Sequence, residues 1–343
     1  MLLCLSVLCF SVSDAHAQSP ELSADCAVLM SGDGEIIFSR NEDKRVPVAS
    51  TTKLMTAIVA IERLSLDTVV EIQPECCGIE GSSMYLKPGE KLSVEELLYG
   101  LMLVSGNDAA LALAQATAGG VEEFAQLMNS KAEDLGMSSS SFKNPHGLNA
   151  EGHYSTARDM AILMGYCMNN ETFARIAGTF SYSLGQRMLV NHNKLLERLP
   201  GCVAGKTGYT KAAGRCLVSC CERDGLRLIC VTLSAPDDWQ DHTSLYAWGY
   251  SNYCLRNAAD GLEFQVSVVS GGIKQVKVVP AEKIMVFCRR DEALQAVAEL
   301  PRFVFAPVEK GEAAGAVQIL RNGTAAGCCP LVFDESVSRR YME

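Results

Sequence analysis

A chain of 343 residues, 48% of them hydrophobic, is long enough to bury a sizeable core and predicts two domains, or one large and one small. This composition excludes a disordered protein. The formal net charge of -10 excludes most nucleic-acid binders, because phosphate contacts need clustered Lys and Arg that the sequence lacks.

The first 17 residues have the pattern of a signal peptide. They are mostly apolar over 2–12 and end on the A-x-A pattern of Ala15 to Ala17, although no Lys or Arg follows Met1. Export is therefore expected, with a buried N-terminal strand as the alternative. No later run reaches 18 uninterrupted apolar residues, so no membrane-spanning helix is expected in the mature chain.

Helix and strand patterns follow one another from residue 26. Residues 26–38 predict a hairpin of two short strands, and 203–235 predict further strands with a tight connection at Arg223–Gly225. The predicted helices cover 52–64, 94–118 with a break at Ser105–Asp108, 121–135, 157–168 and 245–254. The polar break has apolar surroundings, so its side chains are expected to be hydrogen-bonded internally or to face a cleft.

Short alternating strands begin after about residue 255. Turn signals at Gly271-Gly272 and Asn322-Gly323 separate them, which predicts a small all-β domain. We therefore predict a signal peptide over 1–17, a first domain over 18–255 and a β-rich domain over 256–343.

The 15 cysteines do not have the pattern of a disulfide scaffold or a metal site. Loss of Cys4 and Cys9 with the signal peptide leaves an odd number in a long chain. The clustered cysteines lack paired C-x-x-C spacing with a His partner, so no metal is expected. Small hydrophobic residues on buried strands are the expected role.

Ser50 and Lys53 lie three positions apart at the start of a predicted helix. They share one helix face, so the hydroxyl and the amine can come within hydrogen-bonding distance, as a nucleophile and its base must. By itself the pair could arise by chance, with Ser50 only capping the helix.

Two further motifs follow in order, Ser105-Gly106-Asn107 at the helix break and Lys206-Thr207-Gly208 on a strand followed by another strand. The three together are typical of penicillin-binding proteins and class A β-lactamases. Order, spacing and context make coincidence improbable.

The resemblance extends beyond the three motifs. The sequence resembles the serine-type D-alanyl-D-alanine carboxypeptidases among the low-molecular-mass penicillin-binding proteins in the segments VASTTKLMTA, LMLVSGNDAA, NPHGLN, HYSTARDMA and GKTGYTKAAGRCLV. This similarity spans about residues 27–255, and the β-rich tail is similar, less specifically, to the C-terminal domain of many such enzymes.

The resemblance implies an α/β (α+β) penicillin-binding-protein/β-lactamase-like transpeptidase fold, with an antiparallel sheet flanked by helices and a small C-terminal all-β domain. Two features depart from the family pattern. Gly106 stands where Asp is common in the wider superfamily, and the sequence ends soon after Pro330, where many members continue into an amphipathic anchoring helix. Membrane association is therefore left open.

The catalytic residues implied by the resemblance are Ser50, Lys53, Ser105 and Asn107. Ser50 attacks the carbonyl between two D-alanines, Ser105 relays the proton to the departing D-alanine, and Asn107 positions the substrate amide and Lys53. Lys53 would accept the Ser50 proton, which requires a neutral amine near pH 7. Burial and the nearby positive charge of Lys206 could produce that state.

The substrate-binding residues implied by the resemblance are Lys206, Thr207, Gly208 and Tyr209. Lys206 supplies a fixed positive charge and, with Thr207, recognises the free carboxylate of the peptide. Gly208 lets the substrate lie along the strand edge. The backbone N–H groups of Ser50 and Tyr209 form the expected oxyanion hole.

Other candidate groups have weaker support. His146 and His153 with Asp159 suggest a triad, but no G-x-S-x-G segment occurs, so both histidines are expected to be structural. Glu151 lacks the E-x-x-L-N arrangement of a class A deacylating base. Lasting acylation by penicillin is therefore expected.

The predicted function is removal of the terminal D-alanine from peptidoglycan pentapeptides in the cell envelope, without metal or organic cofactor and without nucleic acid. β-Lactam antibiotics are expected to bind covalently. The alternatives are a D,D-endopeptidase or β-lactamase on the same scaffold, or a non-catalytic cell-wall binding protein that acts through its β domain.

Overall fold

The computed structural model describes residues 19–340, so the predicted signal peptide lies outside the described residues. The chain forms two compact units, Ser19–Tyr250 and, in the described part of the second, 251–340. No helix within 19–340 combines the length and the apolar character that a membrane span requires.

The first unit is built on a five-stranded antiparallel sheet in the order β2-β1-β9-β8-β7, which leaves β7 at one edge. Two small hairpins, β3–β4 and β5–β6, lie outside this sheet. The strands are β1 Cys26–Ser31, β2 Ile36–Arg40, β3 Val69–Glu71, β4 Lys91–Ser93, β5 Ser181–Leu184, β6 Arg187–Val190, β7 Cys202–Thr210, β8 Gly214–Arg223 and β9 Leu226–Leu233.

Helices cover both faces of the sheet. The helices are α1 Lys53–Arg63, α2 Val94–Leu103, α3 Asn107–Ala118, α4 Val121–Asp134, α5 Ala157–Met168, α6 Glu171–Ala177, α7 Leu195–Arg198 and α8 Asp238–Asn252. Gly165 of α5 faces Ile229 of β9, whereas Gly249 of α8 faces the adjacent Leu228. Successive strand residues point to opposite faces of the sheet, so α5 covers one face and α8 covers the other. Because both faces are buried, the strands are continuous apolar runs in the sequence.

Helix α1 is the centre of the helical layer on the α5 side. Its first eight residues, 53–60, are all buried, and its apolar side chains belong to the main core with those of α2 and α3. The only charged residue among the eight is Lys53. The fold therefore places an amine at the point where a buried helix begins.

The second unit has its own β core. Its strands are β10 Tyr253–Asn257, β11 Phe264–Val269, β12 Gln275–Pro280, β13 Met285–Arg289, β14 Leu294–Glu299, β15 Phe303–Phe305, β16 Ala313–Arg321 and β17 Thr324–Phe333. β10 pairs with β13, and the other six form one sheet in the order β14-β16-β17-β12-β11-β15. The predicted β character of this region is confirmed.

The predicted last helix, 245–254, was placed too late in the chain. Helix α8 begins at Asp238, and Cys254 lies in β10 opposite Cys288. The first turns of α8 lack an apolar pattern because Asp241 accepts bonds from the Ser23 and Ala24 N–H groups, while His242 bonds to Ser219 and Thr232. Helix α6 and the β5–β6 hairpin were not predicted.

Candidate active site

A cavity of about 600 Å³ opens where the three motifs meet. Its walls come from the turn before α1, the break between α2 and α3, the edge strand β7 and the loops beside them. The lining residues are Ser50, Gly81, Ser82, Ser105, Asn107, Gly147, Leu148, His192, Lys194, Thr207, Gly208, Tyr209, Thr210, Arg215, Asp238 and Trp239.

Ser50 and Lys53 are in direct contact. Ser50 lies in a 3₁₀ turn, Ala49–Thr52, and Lys53 is the first residue of α1, so the pair is one turn apart as the spacing predicts. The Lys53 Nζ atom is 3.0 Å from the Ser50 Oγ atom. The hydroxyl is partly exposed to the cavity, while the amine is fully buried.

The surroundings of Lys53 favour a neutral amine. Its Nζ donates to Asn107 Oδ1 at 2.7 Å and to the His146 carbonyl at 2.8 Å. Burial lowers the pKa of Lys53 far below its ordinary value, and the positive charge of Lys206 lowers it further. A neutral amine has two N–H groups, which these oxygens accept, so its lone pair is left for the Ser50 hydroxyl.

Asn107 is held so that its oxygen faces Lys53. Its Nδ2 group donates to the Glu80 carbonyl at 2.6 Å, and its backbone N–H donates to the Ser82 carbonyl at 2.8 Å. An amide that rotated would point a donor at the amine, so the loop over 80–82 fixes the useful orientation.

Lys206 is buried against Ser105. Its Nζ donates to Ser105 Oγ at 3.0 Å and to the Thr207 carbonyl at 2.9 Å. Burial lowers the pKa of Lys206 to about 7. The sequence suggested a fixed positive charge here, whereas the buried amine of the free site is only partly protonated at pH 7. A bound carboxylate would raise this pKa again.

Two glycines from distant parts of the chain lie very close to the Ser50 turn. A Cβ on Gly208 would lie 3.0 Å from the Ser50 nitrogen, and one on Gly147 would lie 1.9 Å from the Ala49 oxygen. Ala49 itself has a φ of 48°, in the left-handed region. Strand β7 and the loop containing Gly147 can approach the nucleophile this closely only because neither glycine has a side chain.

Gly106 has a spatial reason for lacking a side chain. A Cβ there would lie 2.7 Å from Asp108 Oδ1. The buried Asp108 carboxylate accepts bonds from the Met84 and Leu86 N–H groups and from Ser83 Oγ. Asp108 therefore occupies the space that a residue 106 side chain would need, and it anchors the loop before β4.

The histidines have structural partners. His153 Nδ1 accepts from the Lys143 N–H, so its Nε2 donates to Thr52 Oγ1 at 2.9 Å. Burial lowers the pKa of both His146 and His153 to about 4. Asp159 instead accepts bonds from Ser139 and Ser140. These contacts agree with the prediction that the two histidines are structural, and Glu151 lies on the exposed surface.

Comparison with known proteins identifies the family. Residues 13–237 match the family model of D-alanyl-D-alanine carboxypeptidase, and 258–339 match that of the penicillin-binding protein 5 C-terminal domain. The chain belongs to the D-alanyl-D-alanine carboxypeptidase family. It is a serine hydrolase of that type, so the predicted family and enzyme class are confirmed.

Relatives cover nearly the whole carboxypeptidase chain. It is 31% identical to D-alanyl-D-alanine carboxypeptidase DacF of Bacillus subtilis, across 99% of this chain and 92% of that protein. The structure of penicillin-binding protein 5 from Haemophilus influenzae is similar with a TM-score of 0.71 and 28% identity, covering 94% of this chain and 100% of that one. The D-alanyl-D-alanine carboxypeptidase structure from Mycobacterium tuberculosis has a TM-score of 0.66 and 33% identity, covering 70% and 96%. The predicted fold is confirmed.

The sequence did not single out Arg215 as part of the carboxypeptidase cavity. It lies opposite Tyr209 across β7 and β8, and its guanidinium donates to the buried Asp238 at 2.7 Å and stacks over Trp239. The available signal was the strand register, because Arg215 lies directly across from Tyr209, the residue after the Lys-Thr-Gly motif, and directly opposite residues share one face of the sheet.

The cysteines of the carboxypeptidase are distributed as expected for small core residues. Of the thirteen described, nine are buried, three are partly exposed and Cys328 is exposed; all are free thiols. Within residues 19–340, no three His, Cys, Asp or Glu side chains are grouped closely enough to bind a metal ion.

Proposed function

We propose that this enzyme is exported and removes the terminal D-alanine from peptidoglycan stem peptides through an acyl-enzyme on Ser50. The observation that carries the proposal is the 3.0 Å contact between Ser50 Oγ and a buried Lys53 amine whose two N–H groups already have acceptors. In this arrangement the amine can accept the hydroxyl proton without losing its other bonds.

Acylation begins with attack of Ser50 Oγ on the carbonyl carbon between the two D-alanines. The proton passes from Oγ to Lys53 Nζ, and the negative charge develops on the carbonyl oxygen. The backbone N–H groups of Ser50 and Tyr209 would stabilise this oxygen, and loss of one such donor typically slows a reaction about 100- to 1000-fold. Gly208 brings the two backbones together.

Breakdown of the tetrahedral intermediate needs a proton on the departing D-alanine nitrogen. Ser105 is placed to relay it, because its hydroxyl accepts a bond from Lys206 and its own proton is free to be donated. The proton that Lys53 took from Ser50 replaces the one that Ser105 gives up, so Lys53 returns to its neutral form. The C–N bond breaks, D-alanine leaves, and the shortened peptide stays as an ester on Ser50. Water then attacks the ester and gives a proton to Lys53, and Lys53 passes it to Ser50 Oγ as the C–O bond of the ester breaks. The shortened peptide leaves as a carboxylic acid, and the Ser50 hydroxyl and the neutral Lys53 are restored.

Recognition of the terminal carboxylate would fall to Lys206 and Thr207. The negative charge of the substrate raises the pKa of Lys206, so Lys206 becomes fully protonated as the carboxylate binds. The peptide backbone can pair with the open edge of β7. β-Lactams, which present an amide and a carboxylate in a similar arrangement, would acylate the same serine.

We also propose that residues 1–17 form a cleaved signal peptide and that the boundary in the chain between the catalytic and β-rich domains lies near residue 255. Peptidoglycan lies outside the cytoplasm, so an extracytoplasmic location in the cell envelope accords with the substrate. In the same proposal, the enzyme contributes to cell-wall biogenesis and cell shape.

A labelled penicillin tests the nucleophile. The wild type should be labelled covalently, Ser50→Ala should not, and the control Ser181→Ala, at an exposed position on β5, should match the wild type. Retained labelling of Ser50→Ala would move the nucleophile to another residue. No labelling of the wild type would favour a non-catalytic binding protein.

The products distinguish the reactions that this scaffold can perform. With a pentapeptide substrate, free D-alanine should accumulate in the wild type and be absent in Ser50→Ala. Cleaved cross-links without free D-alanine would indicate an endopeptidase. Rapid accumulation of opened lactam would indicate a β-lactamase.

A further inference from the structure

Tyr85 is a strained and exposed aromatic residue in the loop that borders the cavity through Gly81 and Ser82. Its side chain is among the most exposed of the large hydrophobic residues, at 80%, and its φ is 60°. Within the described residues its ring has no aromatic or cation–π contact and its hydroxyl has no hydrogen bond. The fold therefore gains little packing from the ring.

The backbone of Tyr85 is held from both sides. Its N–H donates to Ser83 Oγ at 2.8 Å, and Ser83 donates in turn to the buried Asp108 at 2.6 Å. Its carbonyl accepts from Arg187 Nη2 at 2.9 Å, and Arg187 forms an ion pair with Glu90. The aromatic ring is thus presented on a fixed backbone.

Holding a tyrosine in the left-handed region of the backbone is energetically unfavourable. Glycine would adopt the same φ freely and would keep every backbone bond at this position. The strain and the exposure together point to a role for the ring outside the folding of the chain.

The position of the loop indicates which part of a substrate the ring can reach. Gly81 and Ser82, three to four residues before Tyr85, line the cavity, and the Glu80 and Ser82 carbonyls hold Asn107. The proposed carboxylate site is at Lys206 and Thr207, whereas Asn107 contacts Lys53, so we assign the Asn107 side of the cavity to the acyl part of the peptide. The next substrate residue on that side is the third residue of the stem peptide.

We propose that Tyr85 is a specificity-determining residue that packs against the side chain of the third stem-peptide residue. This inference rests on the proposed carboxypeptidase function. The favoured side chain is a long aliphatic chain ending in an ammonium group, because methylenes pack on a phenol ring and a cation is attracted to its face. The exposed Glu80 in the same loop adds negative charge nearby.

The test compares two acetylated tripeptides, Nα-acetyl-L-Lys-D-Ala-D-Ala with a free ε-ammonium and Nα-acetyl-L-Ala-D-Ala-D-Ala. We expect Tyr85→Ala and Tyr85→Gly to lower kcat/KM for the lysine peptide about 3- to 10-fold, mainly through KM. The alanine peptide should be unaffected, and Tyr85→Phe should keep most of the preference.

Tyr85→Gly distinguishes loss of the contact between the ring and the substrate from loss of the native fold. Glycine relieves the strain at this φ, so this variant should melt at or above the wild-type temperature while losing the preference. Equal losses on both peptides, or no loss on either, would overturn the inference while leaving the carboxypeptidase function intact. Failure of the wild type to release D-alanine from either peptide would overturn the proposed function and this inference with it.

Discussion

Two buried lysines in one cavity must have opposite protonation states for the proposed chemistry. Lys53 acts as a base only when neutral, whereas Lys206 binds a carboxylate only when charged. Burial disfavours the ammonium form of both, and the positive charge of Lys206 further disfavours that of Lys53. Asn107 and the His146 carbonyl give the neutral Lys53 its acceptors, while Lys206 contacts Ser105, which lines the cavity proposed to bind the substrate carboxylate.

This pairing predicts a bell-shaped pH dependence of kcat/KM for D-alanine release. Activity should rise as Lys53 loses its proton, at a pH well below its ordinary value of 10.5, and fall as Lys206 loses its proton near pH 7. Because the two amines interact, the two apparent pKa values of this profile belong to the pair and not to either lysine alone. Initial rates from pH 5 to 10 measure them.

Lys206→Arg provides the comparison for the falling limb. Arginine stays protonated throughout this range, so any activity that remains should lose its decline above pH 7. A wild-type rate that instead climbs steadily to pH 10 would show that the amines titrate as ordinary exposed lysines.

At the scale of elements, the break between α2 and α3 is shaped by Asp108. Its carboxylate lies beside Gly106 and accepts hydrogen bonds from the backbone N–H groups of Met84 and Leu86, which fixes the loop that carries them. The superfamily pattern allows Asp at position 106, but here a second carboxylate would meet the first.

We therefore expect Gly106→Asp to destabilise the protein and to slow penicillin acylation at least 10-fold. The new Cβ overlaps Asp108 and adds a like charge, and overpacking of this kind typically costs about 1–3 kcal/mol. Thermal melting and acylation rates measure the two effects. Gly272→Asp is the control, because a Cβ there meets nothing within 4 Å and its φ is not left-handed.

How much could be predicted from the sequence depends on whether a feature is local. The Ser50–Lys53 contact follows from helical spacing. The predicted helix break and the predicted strand carry Ser105 and Lys206, which the structure brings to one cleft. The His146 carbonyl and the Asp108 anchor could not be predicted, because backbone acceptors leave no trace in residue type and Asp108 binds N–H groups 22 and 24 residues away. Short elements such as α6 gave too few residues for a periodic pattern.

At the scale of the whole molecule, thirteen described cysteines without a disulfide are unusual for a chain predicted to be exported. Burial raises the pKa of several, including Cys167 and Cys230, well above the ordinary thiol value. A buried thiol with a raised pKa holds little thiolate, so it should react slowly with alkylating reagents.

Iodoacetamide should therefore label the native protein in an order set by exposure. Cys328 should react first, the partly exposed Cys77, Cys202 and Cys254 more slowly, and the nine buried thiols only after denaturation. Peptide mass mapping measures the order, and Cys328→Ser should remove the fast phase. Discovery that most thiols are already paired would contradict the free-thiol description.

The close approach of Gly147 and Gly208 to the Ser50 turn means that the nucleophile is assembled from segments almost 160 positions apart in the chain. None of these segments, released from the others, would keep the hydroxyl, the amine and the strand edge in contact. Covalent modification of Ser50 by a β-lactam therefore requires a complete tertiary structure. The amount of label measures the number of folded molecules. A fluorescent antibiotic would serve as a titrant of the native population during refolding, reporting on assembly of the core through one covalent bond.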